Sequence, residues 1–228
     1  MRAKRVLSKA CATVLIVCLP LFLALTSLLP LITPLFLRIQ YARPDVPPSS
    51  RFSPEERLAF AAAAAHYLIS TEDIDYLGDL RTQDGQPLFN ERELTHMVDV
   101  KVLLAKALRL DLFLGTLMAA SLGLLLGVRE LRDMAPVYLF AAALVAPSLA
   151  LASLVIVPLQ FQWFFVKFHH LFFEGESWLF PRTDTLIQLF PEQFWFNALQ
   201  TWLLLVIATS SALAAGSYLW MRRRSASP

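Results

Sequence analysis

The sequence predicts an all-α transmembrane protein: a four-helix membrane bundle with a small extracytoplasmic loop domain made of helices and a β-hairpin. Three observations lead there. Of 228 residues, 57% are hydrophobic and only 17% are charged, too apolar a mixture for an ordinary soluble domain. The charges are clustered, leaving uncharged runs at 10–37, 112–128, 134–166 and 193–221, of 28, 17, 33 and 29 residues. Each is near or above the roughly 20 residues a helix needs to cross a ~30 Å hydrocarbon core. What remains suffices for loops and one small extramembrane domain, which excludes a large soluble enzyme domain. The balance of 20 basic against 18 acidic residues, a net charge of +2, carries no electrostatic footprint for nucleic acid.

Basic residues set the expected topology. Arg2, Lys4, Arg5 and Lys9 precede the first run, Arg129 and Arg132 lie between the second and third, and Arg222, Arg223 and Arg224 follow the fourth. All three clusters read as cytoplasmic under the positive-inside rule. Residues 1–37 are then a cytoplasmic N-terminus and first span; 28 uncharged residues are about twice a signal-peptide core of roughly 7–15. Pro20, Pro30 and Pro34 in this run, and Pro136, Pro147 and Pro158 in the third, predict kinks and not straight rods.

Residues 38–101 form the expected extracytoplasmic domain. A turn-rich linker leads to Ser53, an N-cap followed by Pro54 and by Glu56 at capping-box spacing, so a helix starts there and continues through the alanine-rich 58–69. Asp84-Gly85 is a tight-turn signal and predicts a small hairpin within 70–89. Asn90, with Glu93 three residues on, opens a further helix that runs into the second span at 102–128, where Lys106 and Arg109 snorkel. A cytoplasmic link at 129–133 precedes the third span, 134–166. Residues 167–192 are rich in phenylalanine, with Trp178 and interleaved charges, as expected of a segment lying at the membrane interface or folded back over the bundle. The fourth span, 193–221, ends in a cytoplasmic tail, 222–228.

The four histidines, His66, His96, His169 and His170, all fall in the outer segments and are the groups best suited to moving a proton near neutral pH. His66 follows a run of alanines and reads as an ordinary, partly buried helix residue. His96 has Glu93 and Asp99 at i−3 and i+3 on one helix face, and either carboxylate is placed to hold one ring nitrogen. From spacing alone, the trio reads better as a solvated charged face. Glu-x-x-His also occurs in carboxylate-bridged metal bundles, but Val166 stands where the second glutamate belongs, and no metal or other cofactor is expected. Cys11 and Cys18 lie in the first apolar run, no G-x-S-x-G elbow is present, and Ser177 is a lone hydroxyl. A proton-transfer site fits this inventory better than a covalent-intermediate enzyme.

Several segments together carry a family resemblance. They are Glu93-Leu-Thr-His96-Met97-Val-Asp99-Val100, then Phe168-His169-His-Leu-Phe172-Phe173, then Trp178, then Asp184-Thr-Leu-Ile187 with Leu189-Phe190-Pro191-Glu192. In this order and spacing the chain resembles the small bacterial four-span membrane proteins that include the lipoprotein intramolecular transacylase. The resemblance implies an inner-membrane enzyme acting on diacylated lipoprotein N-termini among membrane lipids. It would move the sn-2 acyl chain of the diacylglyceryl group to the amino group of the N-terminal cysteine. On that reading His96 is the general base, oriented by Asp99, and His169 is the general acid or oxyanion donor. His170, Trp178, Arg182, Asp184 and Glu93 shape the substrate site. The competing expectations are a non-enzymatic membrane protein that binds a partner through its outer loops, and a membrane protein that binds haem or metal through histidine. The spans hold almost no ionisable residues, which disfavours a transporter.

Overall fold

The computed structural model describes residues 2–225. Its helices are α1 (Arg2–Thr26), α2 (Pro34–Tyr41), α3 (Pro54–Ile69), α4 (Asp75–Gly78), α5 (Glu91–Gly127), α6 (Met134–Leu159), α7 (Phe161–Phe172), α8 (Thr185–Leu189) and α9 (Glu192–Ser225), with short 3-10 turns at Leu29–Ile32 and Arg129–Leu131. Four segments are long and apolar enough to cross a membrane: Arg2–Ile32, Glu91–Gly127, Met134–Val157 and Glu192–Arg224. Helix α5 has 37 residues, about 55 Å at ~1.5 Å per residue, against a hydrocarbon core of ~30 Å. All its charged residues lie between Glu91 and Asp111. The charge-free part from 112 spans about 24 Å at ~1.5 Å per residue, so a crossing needs the turns before it as well, while His96 lies in the first two turns of the helix, among its charges.

The expected prolines act at the ends of helices more than within them. Pro20 is carried inside α1, but the chain leaves the helix after Thr26, and Pro34 restarts it at the first position of α2 with Thr33 as N-cap. The 134–166 run divides at Gln160, whose φ of −135° is not helical, two residues after Pro158. Helix α7 then continues to Phe172, beyond the expected end of the span.

The chain forms two compact units. The first takes α1 up to Leu28, Leu108–Ile156, and the chain from Thr201. Its core gathers Cys11, Leu15, Cys18 and Leu19 of α1, Leu114, Met118 and Leu125 of α5, Ala135, Ala142 and Ala143 of α6, and Ala214 of α9. Small residues let these backbones approach: a Cβ on Gly115 would lie 3.0 Å from the Phe22 ring. The indole N–H of Trp202 donates to the Ala24 carbonyl at 2.7 Å, one of the acceptors left free in the last turn of α1. At one end of this unit Lys4 pairs with Glu130 at 2.7 Å and Arg224 with Asp133, so all three basic clusters share that end.

The second unit comprises Leu29–Ala107 and Val157–Gln200. Helix α3 begins with both halves of its capping box in place: Glu56 N–H donates to Ser53 Oγ, and Ser53 N–H donates to the Glu56 carboxylate at 2.9 Å. One core joins Phe52, Ala64, Tyr67, Leu77, Leu88, Phe89 and Met97 to Leu186 and Leu189 of α8. Another joins Phe36, Leu37, Ala61 and Ala65 to Phe194 and Ala198. Arg57, buried without a carboxylate partner, donates to the Pro47 and Leu189 carbonyls and lies 4.4 Å above the Tyr41 ring.

The hairpin expected within 70–89 is a correction. Residues Asp75–Gly78 form a helical turn instead, and the only pairing among the described residues is an isolated bridge between Arg81 and Pro87. The Asp84-Gly85 turn does form, with Gly85 at φ +77° and Thr82 N–H donating to Gln86 O at 2.9 Å. Leu88 N–H also donates to Leu80 O at 2.9 Å, but the pairing goes no further, and Leu77, Leu88 and Phe89 are drawn into the helical core.

Candidate functional site

The site is built where the start of α5 meets α8. Asn90 Oδ1 accepts the Glu93 N–H at 3.0 Å, and one Glu93 oxygen accepts the Asn90 N–H at 2.9 Å, closing a capping box. The other oxygen accepts the Leu186 N–H at 2.7 Å. A single carboxylate thus ties the first turn of α5 to the first turn of α8. Glu93 is 1% exposed, and burial raises its pKa above the usual carboxylate range. Its oxygens are committed to backbone donors, so the resemblance-based substrate contact becomes a structural tie that fixes His96 one turn further on.

His169 comes from α7, with its Nδ1 2.7 Å from the Phe165 carbonyl oxygen. A carbonyl only accepts, so Nδ1 carries the proton and Nε2 of the neutral ring carries the lone pair. The rings of His96 and His169 lie 6.3 Å apart and within 24° of parallel. Aromatic side chains wall the pair. Phe173 is 5.0 Å from His96 and 5.6 Å from His169, Phe180 is 5.4 Å from His96, and Phe165 is 4.2 Å from His169. Trp178 stacks on His169 at 4.6 Å and 29°. Two nitrogens in this cluster are buried without a hydrogen-bond partner, His96 Nδ1 and Trp178 Nε1.

Burial sets the protonation of both imidazoles. Desolvation, with a smaller contribution from His169, pushes the pKa of His96 down from about 6.5 to about 4. Desolvation also lowers that of His169, the bond to Phe165 opposing it in part. Both rings are therefore neutral at pH 7, the state in which an imidazole accepts a proton.

The remaining predicted residues distribute around this pair. Asp99 is exposed and makes no hydrogen bond to His96, so the expected orienter is not engaged. His170 is exposed and meets Trp178 edge-on at 5.3 Å. Asp184 accepts from Arg92 at 2.8 Å and from Asn90 at 3.3 Å, and Arg92 in turn lies 5.3 Å over the Phe180 ring. Arg182 is exposed, and only its carbonyl is engaged, by Gln188. His66 is exposed against Tyr76, outside the cluster. The sequence reading assigned no role to Arg92 or Phe180, and Phe173 stood in a resemblance segment without one; the phenylalanine enrichment of 167–192 was the available signal for the last two. A cleft of about 560 Å³ opens beside the α5 N-terminus, lined by Arg51, Asn90, Glu91, Leu94, Thr183 and Asp184. Among the described residues no group of three or more metal-ligating side chains is gathered.

Fold and site together define a multi-pass membrane protein with two neutral imidazoles in an aromatic enclosure. The family model for the lipoprotein intramolecular transacylase Lit matches residues 13–195, a stretch that holds both histidines and the whole second unit up to the fourth span. The chain belongs to the lipoprotein intramolecular transacylase family. An uncharacterised protein of Aquifex aeolicus (strain VF5) is 29% identical over 164 residues, covering 71% of this chain and 72% of its own. The chain is also similar to the solved in meso structure of the membrane-integral lipoprotein intramolecular transacylase Lit of Bacillus cereus. The TM-score there is 0.70, with 17% identity over 98% of each chain. A variant of that protein with one histidine replaced by arginine gives a TM-score of 0.72 at 15% identity, covering 100% of this chain and 97% of the other. At these identities the structures speak for the fold.

Proposed function

We propose that this chain moves the sn-2 acyl chain of a diacylglyceryl-cysteine lipoprotein to the amino group of that cysteine, leaving an N-acylated lyso-form lipoprotein. The observation that carries the proposal is the meeting of His96 and His169, 73 positions apart in sequence, as two neutral imidazoles inside one aromatic enclosure. In the reaction the free amine attacks the ester carbonyl carbon, the C=O electron pair moves to oxygen, and the amine gives up a proton. Collapse of the tetrahedral intermediate breaks the bond to the glyceryl oxygen, which receives a proton. One proton therefore passes from nitrogen to oxygen, and no external acid or base is consumed.

His96 serves as the base for the amine. His169 reaches the reaction with Nε2 unprotonated, which suits it to accept and pass on a proton and not to act as a resting donor. The nucleophile is tethered a few bonds from the ester, so proximity supplies much of what an acyl-enzyme would otherwise provide. That fits the placing of Cys11 and Cys18 in the apolar core of the first unit.

A crossover experiment tests this reaction. Purified protein in micelles is given two synthetic diacylglyceryl peptides that differ in peptide sequence, one of them with a deuterated sn-2 chain. The expected outcome is N-acylation with every label retained on its original peptide. Scrambled labels would mean transfer between molecules, and unchanged peptides would contradict acyl transfer altogether.

A further inference from the structure

Resting on the acyl-transfer reading, we propose that the indole N–H of Trp178 is the hydrogen-bond donor that receives the ester carbonyl oxygen and stabilises the oxyanion formed from it. An indole N–H has donor capacity only, and burying it unpaired is destabilising. Trp178 is 6% exposed and its Nε1 has no partner, whereas Trp202 in the first unit spends its N–H on the Ala24 carbonyl. Such an unpaired donor calls for an acceptor that arrives with a ligand.

The position of this donor is specific. Trp178 stacks on His169 at 4.6 Å, with His170 against its edge at 5.3 Å, so the ring is held by its neighbours and the N–H is fixed with it. Of the neighbouring donors, two are engaged, and His96 is the base of the proposed reaction. His169 Nδ1–H is held by Phe165 O, and the Arg92 guanidinium is held by Asp184 and the Phe180 face. As the amine nitrogen bonds to the carbonyl carbon, negative charge grows on the carbonyl oxygen; a preorganised N–H in an aromatic enclosure stabilises that charge more than it does the starting ester. When the glyceryl oxygen leaves, the electron pair returns to form the amide C=O and the donor is released unchanged.

Trp178→Phe keeps an aromatic ring against His169 and removes the N–H. With a synthetic diacylglyceryl peptide, its kcat is expected to fall about 100-fold, with KM within about threefold of the parent. His96→Ala and His169→Ala are run alongside. If the parent does not turn the peptide over, the acyl-transfer reading itself fails, and if both histidine variants keep full kcat, the roles of His96 and His169 fail; if the histidine variants lose activity while Trp178→Phe keeps its kcat, only the oxyanion role of Trp178 is overturned. A loss confined to KM would also overturn it, since a packing or binding role acts there. Should Trp178→Phe not fold, the parent protein decides the matter by NMR with ¹⁵N-labelled indoles. The Trp178 signal, identified by its cross-peaks to the His169 ring, is expected to move downfield on binding a diacylglyceryl peptide that lacks the α-amino group and so keeps its ester. A signal unmoved at saturation rules the proposal out.

Discussion

At the scale of single residues, the site depends on which atoms burial leaves available. His96 has one ring nitrogen unpaired and a pKa pushed down to about 4, so its neutral form persists well below the ordinary histidine range. The consequence for stability has a definite sign. Above about pH 6.5 the imidazole is neutral whether the protein is folded or unfolded, and no difference arises. Between about 6.5 and 4 the unfolded chain takes up a proton that the folded chain refuses, so stability falls as pH falls through that window. The parent Tm is therefore expected to drop on acidification from 6.5 to 4, and His96→Phe to drop less; equal slopes would show that His96 does not titrate differently on folding. For turnover, His96→Ala and His169→Ala are each expected to lower kcat by roughly 10²–10⁴-fold, the usual range for a general acid or base. Asp99→Asn is expected to stay within about threefold of the parent, because Asp99 is exposed and makes no bond to His96. A large kcat loss in Asp99→Asn would restore it as the orienter of the imidazole.

At the scale of elements, the start of α5 fixes the site. Glu93→Ala would strip acceptors from the N–H groups of Asn90 and Leu186, both inside the second unit. A destabilisation of about 2–4 kcal/mol is expected for a lost cap plus a buried unpaired donor. Hydrogen exchange should quicken first at Leu186, and unchanged protection there would contradict the tie between α5 and α8. This element was half legible in the sequence. Asn90 and Glu93 stand at capping-box spacing, as do Ser53 and Glu56, because a capping box is a local rule between residues three apart. That the same Glu93 carboxylate reaches α8, 93 positions away, is a long-range contact that no local pattern encodes. The hairpin failed for a related reason. Asp84-Gly85 specifies a turn and the turn is present, but strands need partners along their length, and the helical core claimed Leu77 and Leu88. The tautomer of His169 was likewise invisible, since it is set by where the helix places the Phe165 carbonyl.

At the scale of the whole molecule, the four apolar runs were plain in the sequence because the hydrocarbon core demands length and an absence of charge, both of which are countable. In the first unit the three basic clusters gather at one end through Lys4–Glu130 and Arg224–Asp133. The positive-inside rule predicts a cytoplasmic place for that end and, from the number of spans, an outward α7–α8 loop. Glu176→Cys, exposed in that loop, should react with a membrane-impermeant maleimide in intact spheroplasts, in a background where Cys11 and Cys18 are replaced by alanine. Arg223→Cys should react only after permeabilisation; the opposite pattern would invert the topology. The acyl-transfer reading itself is tested most directly by mass spectrometry of N-terminal lipopeptides from a bacterium that makes only diacyl lipoproteins, with and without this chain expressed. The expected result is conversion of the diacylglyceryl peptide into an isobaric N-acyl, lyso-glyceryl isomer, resolved by fragmentation, and its absence when His96 and His169 are both replaced by alanine. An unchanged lipopeptide, with the protein folded in the membrane, would contradict acyl transfer as the function of this site.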